Sequence, residues 1–322
     1  MSFFAEDISN GCIFVKILLS MEIVKLKPAC KDYIWGGDLL KKWGKESESS
    51  TIAECWELSF NASGPSVIAS GKETGKLLMD VATKEDIGEV PASFAFFPVL
   101  IKLINSAANL SVQVHPSDEY ALKNEGQFGK TEMWYVISAE PGCGLYVGFK
   151  QRTSPEEVAS RIEDGTIMDI LNFIEVKPGE TYFIPSGTVH AIGKGVTVIE
   201  IQQNSTLTYR LYDYKRIGKD GKERELHVEK ALKVLKYEPY ERPDFQLPLV
   251  GSCPYFTSYR YQVDEKAKVE AKPFSFASIT FLSGRGTVEG IPYSKGDTFF
   301  IPAGKIGHID GTGDYVLTEV DR

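Results

Sequence analysis

The chain has 322 residues, with 36 Lys and Arg against 44 Asp and Glu, a formal net charge of −8. Hydrophobic residues make up 43% and charged residues 25%, the balance of a globular protein, which excludes an intrinsically disordered chain, a collagen-like fibre and a multi-spanning membrane protein. The acidic surplus argues against a general nucleic-acid binder, no apolar run reaches the roughly 20 residues of a membrane span, and about 150 residues per domain predicts two packed units.

Residues 1–20 lack the basic start and small-residue cleavage site of a secretory signal, because Glu6 and Asp7 precede the apolar stretch at 13–19. Met21 then opens Glu22-Ile23-Val24-Lys25-Leu26, which alternates like a strand. Met21 therefore reads as the functional start, and 1–20 as a dispensable extension. Strand-like runs follow at 99–104, 110–115, 133–138, 181–184, 197–202, 208–212, 256–263, 276–282, 297–301 and 315–320. They are short, β-branched or aromatic, and broken by Gly and Pro, which predicts barrels or sandwiches. Two helices interrupt them. Ser154-Pro155-Glu156-Glu157 offers an N-cap, a proline at the first helical position and acids on the positive dipole end, for a helix running toward Phe173. A second helix over 225–237 follows the turn-rich 218–221 and would connect two β units. Five cysteines at 12, 30, 55, 143 and 253 form no C-x-x-C pair. The odd count predicts no disulfide framework, buried thiols and a reducing cytoplasm.

An internal repeat supports two β units. Gly179-Glu180-Thr181-Tyr182-Phe183-Ile184-Pro185-Ser186-Gly187-Thr188-Val189-His190 lies 117 residues before Gly296-Asp297-Thr298-Phe299-Phe300-Ile301-Pro302-Ala303-Gly304-Lys305-Ile306-Gly307. Gly-x5-Pro-x-Gly carries a turn, an aromatic-apolar strand and a second turn. This pattern resembles the second motif of the cupin superfamily, β-barrels of the jelly-roll class. In that family the His after Pro-x-Gly-x-x is a metal ligand, so the resemblance implies a live first barrel and a metal-free second one. His308 falls one place past the ligand position, and one place along a strand turns a side chain to the other face.

Other residues converge on the same chemistry. Gln113 and His115 stand two apart on a strand and share a face. Glu132 opens a later strand-like run, and His190 ends the first repeat. Two imidazoles, a carboxylate and an amide oxygen suit a borderline divalent ion such as Zn²⁺. Two of the four histidines fall at these points, whereas His227 sits in a charged stretch and reads as solvated.

The longer motifs are more specific. Leu110-Ser111-Val112-Gln113-Val114-His115-Pro116, Gly129-Lys130-Thr131-Glu132-Met133-Trp134-Tyr135 and Glu200-Ile201-Gln202-Gln203-Asn204-Ser205-Thr206-Leu207-Thr208-Tyr209-Arg210 resemble the signatures of type I phosphomannose isomerases. Tyr33-Ile34-Trp35-Gly36-Gly37 and Glu54-Cys55-Trp56-Glu57-Leu58-Ser59 fit as well. Only 58 positions separate Glu132 from His190, which resembles the short bacterial and archaeal form. The resemblance implies a mainly β protein of two cupin barrels with a few short helices. It divides the chain into a catalytic region over 21–236, with its connecting helix, and a metal-free barrel over 237–322. It implies one Zn²⁺ on Gln113, His115, Glu132 and His190, with Ser111, Lys130 and Arg210 lining a phosphosugar pocket. Arg210 and Lys130 would act in catalysis, and Glu200 matches a pocket carboxylate that is either the base or a partner orienting a ligand. The family's Ser-Asp-Asn is Ser205-Thr206-Leu207 here, so no role of that Asp transfers.

The implied reaction moves a proton between C2 and C1 of a hexose 6-phosphate through a cis-enediol. It needs a base, positive charge for the enediolate and a handle for the phosphate. Lys130, Arg210 and a divalent ion supply the charge locally despite the overall −8. Two other readings stay open: an Fe(II) oxygenase built on two His and a carboxylate, and a non-catalytic phosphosugar-sensing bicupin. The partner expected is a small phosphosugar, with no nucleic acid and no membrane. The sequence leaves the oligomeric state open.

Overall fold

A computed structural model describes residues 21–218 and 221–321; the expectation for 1–20 lies outside them. The strands in chain order are β1 (Val24–Lys27), β2 (Ala29–Lys31), β3 (Glu54–Leu58), β4 (Val67–Ile68), β5 (Val99–Asn105), β6 (Val112–Val114) and β7 (Glu132–Ala139). Next come β8 (Gly144–Phe149), β9 (Leu171–Glu175), β10 (Thr181–Ile184), β11 (His190–Ile192), β12 (Val196–Gln203) and β13 (Tyr209–Tyr212). The last are β14 (Leu249–Cys253), β15 (Phe256–Val263), β16 (Lys266–Glu270), β17 (Ala277–Phe281), β18 (Arg285–Val288), β19 (Ile291–Ser294), β20 (Thr298–Ile301) and β21 (Ile306–Glu319).

Three antiparallel sheets result. The first runs β10-β7-β12-β5-β3-β2, and the second runs β13-β6-β11-β8-β9. Between them pack Ile104, Leu110, Trp134, Val147, Ile184, Ile192 and Val198. The third sheet runs β14-β15-β21-β17-β20-β1-β4, with β16 and β18 joined to β21 and β19 to β18, so β1, the first strand among the described residues, pairs with β20 from the far end of the chain. The other face of the first sheet meets this third sheet: Ile101, Leu103, Met133, Ile199 and Ile201 pack with Val24, Leu26, Phe256, Phe276, Phe300 and Val316. The first sheet is thus the middle layer, covered on both faces. Its strands alternate accordingly. On β12, Ile199 and Ile201 enter the apolar interface, and Val198 and Glu200 face the other way.

The mainly β architecture agrees with the sequence reading, with several departures: β2, β3, β4, β8, β9, β14, β16, β18 and β19 are not among the expected runs, and the helix expected over 225–237 spans only Val228–Val234. The helix expected from Ser154 toward Phe173 stops at Pro155–Glu163, where Gly165 takes φ +74° and the chain turns into β9. Its start is as expected, since the Ser154 hydroxyl accepts from the Glu157 N–H at 3.2 Å. A helix over Asp118–Glu125 had no counterpart in the sequence reading. The cysteine reading is corrected as well: Cys30 and Cys55, opposite each other on β2 and β3, form a disulfide, and Cys143 and Cys253 are thiols.

Candidate active site and metal centre

The middle sheet presents charged side chains to the cavity because its strands keep strict alternation there. Glu132 and Trp134 share a face of β7, and Glu200 and Gln202 share a face of β12. Register places Glu200 opposite Trp134 on one side and Lys102 on the other. The second sheet closes over them. His190 on β11 stands opposite Gln113 on β6, and Arg210 on β13 stands opposite Gln113 across the other edge.

Three buried groups form the centre. His115 Nε2 lies 3.4 Å from Glu132 Oε2, and His190 Nε2 lies 3.3 Å from Glu132 Oε1. Among the described residues, His115, Glu132 and His190 are the one group of three or more His, Cys, Asp or Glu whose ligand atoms fall within 4.8 Å of one another. The Gln113 amide joins them, 3.4 Å from His190 Nε2. Each ring is oriented from behind. His115 Nδ1 lies 2.7 Å from the Leu207 carbonyl and His190 Nδ1 lies 2.8 Å from the Thr188 carbonyl. A carbonyl accepts only from N–H, so both Nδ1 atoms carry the proton and both Nε2 lone pairs point inward. Burial, then the Lys130 charge, pushes His115 down to about 3, and burial lowers His190 too. Burial pushes the Glu132 carboxyl up, but the Lys130 ammonium in contact with it outweighs burial and holds it well below the usual range. The set is therefore two neutral imidazoles and one carboxylate. Glu132 Oε1 is buried with no hydrogen-bond donor. Facing lone pairs and an unpartnered carboxylate oxygen are the donor set of a cation site, and they fit a divalent metal.

Around this centre runs a cavity of about 440 Å³, lined among others by Ser111, Gln113, Lys130, Glu200, Arg210 and Arg224. Lys130 precedes β7 yet reaches back, with Nζ 3.1 Å from His115 Nε2, 3.6 Å from Glu200 Oε1 and in hydrogen-bond contact with Glu132. Glu200 accepts from Lys102 at 3.1 Å and from the Trp134 indole N–H at 2.8 Å. Burial and the Glu132 charge push its carboxyl up, and Lys102 and Lys130 outweigh them, leaving it below its ordinary value. Arg210 donates from Nε to the buried Ser111 hydroxyl at 3.3 Å and from Nη1 to the Glu225 carbonyl at 2.7 Å.

Of the eight residues singled out in the sequence, Ser111, Gln113, Lys130, Glu200 and Arg210 line this cavity, and His115, Glu132 and His190 sit behind it in contact with Lys130 and Gln113. Two other histidines differ from each other. His308 is exposed and bonds Glu289 at 2.8 Å. His227 is not simply solvated, since its Nδ1 accepts from the Arg210 backbone N–H at 3.2 Å. Sequence reading missed Lys102, Glu54, Trp56 and Arg224 as cavity residues. Lys102 had a usable signal, because it is the one charge in the apolar strand Val99–Asn105. It pairs with Glu54 at 3.5 Å, and Glu54 accepts from the Trp56 indole at 2.8 Å.

Comparison with known proteins agrees with the geometry. The family described as phosphomannose isomerase type I, catalytic domain, matches residues 23–134. The mannose-6-phosphate isomerase ManA of Bacillus subtilis is 36% identical over 304 residues, covering 89% of this chain and 95% of that protein. The chain belongs to the type I phosphomannose isomerase family. A mannose-6-phosphate isomerase of Streptococcus mutans is 38% identical over 283 residues, 84% of this chain and 89% of its own. The crystal structure of the mannose 6-phosphate isomerase from Bacillus subtilis superimposes with a TM-score of 0.83 at 33% identity, covering 92% of this chain and 99% of that one. The cupin-type fold and the family expected from the motifs are thus both found. In a type I phosphomannose isomerase, a metal centre beside a basic cavity is the place to look for the chemistry.

Proposed function

We propose that this chain interconverts mannose 6-phosphate and fructose 6-phosphate through a cis-enediol, with Zn²⁺ held by Gln113, His115, Glu132 and His190. The observation that carries the reading is the pair of inward imidazole lone pairs beside a buried carboxylate oxygen without a donor. Nitrogen and oxygen donors suit zinc, and the amide of Gln113 can offer its oxygen after a flip. When bound, the ion supplies positive charge for the sugar oxygens as they gain electron density.

The chain's own groups supply the rest. Glu200 lines the cavity as a carboxylate, and its Oε1 takes the C2 proton and returns it to C1. Lys130, between Glu132 and Glu200, offsets the charge of the developing enediolate, as does Arg210 from the edge beside Gln113. Ser111, Lys130 and Arg210 hold the phosphosugar. The two hydrogen bonds on Glu200 favour a second reading of that residue alone, in which it orients the Lys130 ammonium and another group carries the proton. Membership in an isomerase family weighs against the oxygenase and the non-catalytic sensor.

We assign the reaction to 21–236 and a supporting, metal-free role to 237–322. In the latter, the position matching His190 is Gly307, with Ile23, Ile301 and Val288 around it. A dianionic sugar does not cross a bilayer, so the reading places the enzyme in the cytoplasm. The test is a coupled assay for fructose 6-phosphate on protein stripped of metal by strong chelation. Activity is expected to vanish on chelation and return with added Zn²⁺. Full turnover by metal-free protein would end the zinc reading.

A further inference from the structure

Two arginines meet one carboxylate at the rim of the cavity, with a third arginine beside them on its wall. Asp213, just past β13, is buried, and a buried carboxylate needs partners. Arg224 gives it two hydrogen bonds, Nε to Oδ2 at 2.8 Å and Nη2 to Oδ1 at 2.5 Å. Arg216 also bonds Oδ1, and its Nη1 donates to the Asn109 carbonyl at 2.6 Å. The two arginines stand on opposite arms of a loop closed by a bridge between Ile217 and Glu223. Of the two, only Arg224 lines the cavity, with Ser111 and Arg210.

The charges do not balance. Burial pushes the Asp213 carboxyl up, but hydrogen bonds from Arg224 and Arg216 outweigh it, so the group stays charged. Arg210 and Arg224 line the same cavity with Ser111, so two guanidinium charges share it. Among the described residues, Asp213 sets one negative charge against the two guanidiniums that bond it, and Arg210 adds a further positive charge at the cavity, while Glu225 turns its own carboxylate to solvent, 84% exposed. Holding Arg210 and Arg224 close is unfavourable unless an anion sits with them. A phosphate dianion matches both the surplus charge and the fork geometry of guanidinium donors.

We infer that Arg224 is a second guanidinium for the phosphate of the substrate, and that Asp213 is the positioning residue that sets its orientation. This rests on the phosphosugar-isomerase reading of the cavity. The phosphate is unchanged by the reaction, so Arg224 binds ground state and transition state alike, and its loss falls on KM more than on kcat.

The test uses the zinc-loaded full chain, with mannose 6-phosphate as substrate and inorganic phosphate as competitive inhibitor. Arg224→Ala is expected to raise KM about 10- to 100-fold, the range of one or two charge-assisted hydrogen bonds, and to weaken phosphate inhibition in parallel. Arg224→Lys restores part of the loss, because it returns the charge without the fork. Asp213→Asn raises KM less than Arg224→Ala; should it fail to fold, the Arg224 pair decides. A purely structural role would lower the thermal midpoint or kcat and leave the phosphate inhibition constant unmoved, which overturns the inference. So would an Arg224→Ala enzyme with wild-type KM, and in both cases the isomerase reading stands. Wild-type protein that turns over no mannose 6-phosphate would overturn that reading and this inference together.

Discussion

Arg210 shows how a single side chain is committed to the site. Its guanidinium is pinned by Ser111 and the Glu225 carbonyl, its backbone N–H by His227, and its strand by pairing with Gln113. Such a preorganised charge needs no reorganisation when an oxyanion develops, and removing one such donor costs about 10²–10³ in rate. Arg210→Ala is expected to lose that much in kcat/KM with metal content unchanged, checked by turnover alongside metal analysis. Near-normal turnover would remove Arg210 from the mechanism. Residues of this kind were legible because they sit in long motifs with few spacings to choose from. Lys102 and Glu54 gave weaker signals, and Arg224 gave none. Arg224 reaches the cavity through a loop whose path depends on Asp213, and no local pattern states that path.

Among the elements, β3 carries opposite jobs on its two faces. Glu54 and Trp56 line the cavity. Glu57 faces away and meets Lys45 at 2.7 Å, with Thr298 of β20 donating to it at 3.2 Å and Lys45 donating to the Gly296 carbonyl at 2.6 Å. This buried ion pair ties the middle sheet to the third sheet. Burial holds the Glu57 carboxyl above its usual range despite Lys45. Lys45→Met would leave a carboxylate buried without its partner, a loss of about 3–5 kcal/mol, whereas an apolar replacement of both partners is commonly near neutral. Chemical denaturation is expected to show Lys45→Met well below wild type, and the double variant Lys45→Met with Glu57→Leu closer to it. Equal losses for the single and double variants would mean that the pair is not the source. Strands such as β5, β7, β12 and β20 were legible from their β-branched and aromatic runs and the Gly-Pro punctuation of the repeat, whereas β8, β9, β16, β18 and β19 were not. Register was not, and the Cys30–Cys55 bond depends wholly on the pairing of β2 with β3.

At the scale of the molecule, the duplicated motif announced two β units but not how they interlock. Strand β1 pairs with β20 and β4 with β1, so residues before the catalytic strands complete the sheet built from the far end. The apolar layer between that sheet and the middle sheet draws Leu58, Ile101, Met133 and Ile201 from one side and Val250, Phe256, Phe276 and Val320 from the other. A hydroxyl contact crosses the same divide, where Tyr255 donates to Asp118, which also accepts from the Gly129 N–H at 2.7 Å just before Lys130. Ending the chain at Glu238 would strip the middle sheet of this cover, strand β1 and β4 without a sheet, and release the loop that carries Lys130. Exposed apolar surface of that extent drives association. The shortened chain is therefore expected to aggregate and to lose turnover, measured by size-exclusion chromatography and the fructose 6-phosphate assay. A soluble product with ordinary kcat would show that residues beyond 238 support neither the fold nor the site.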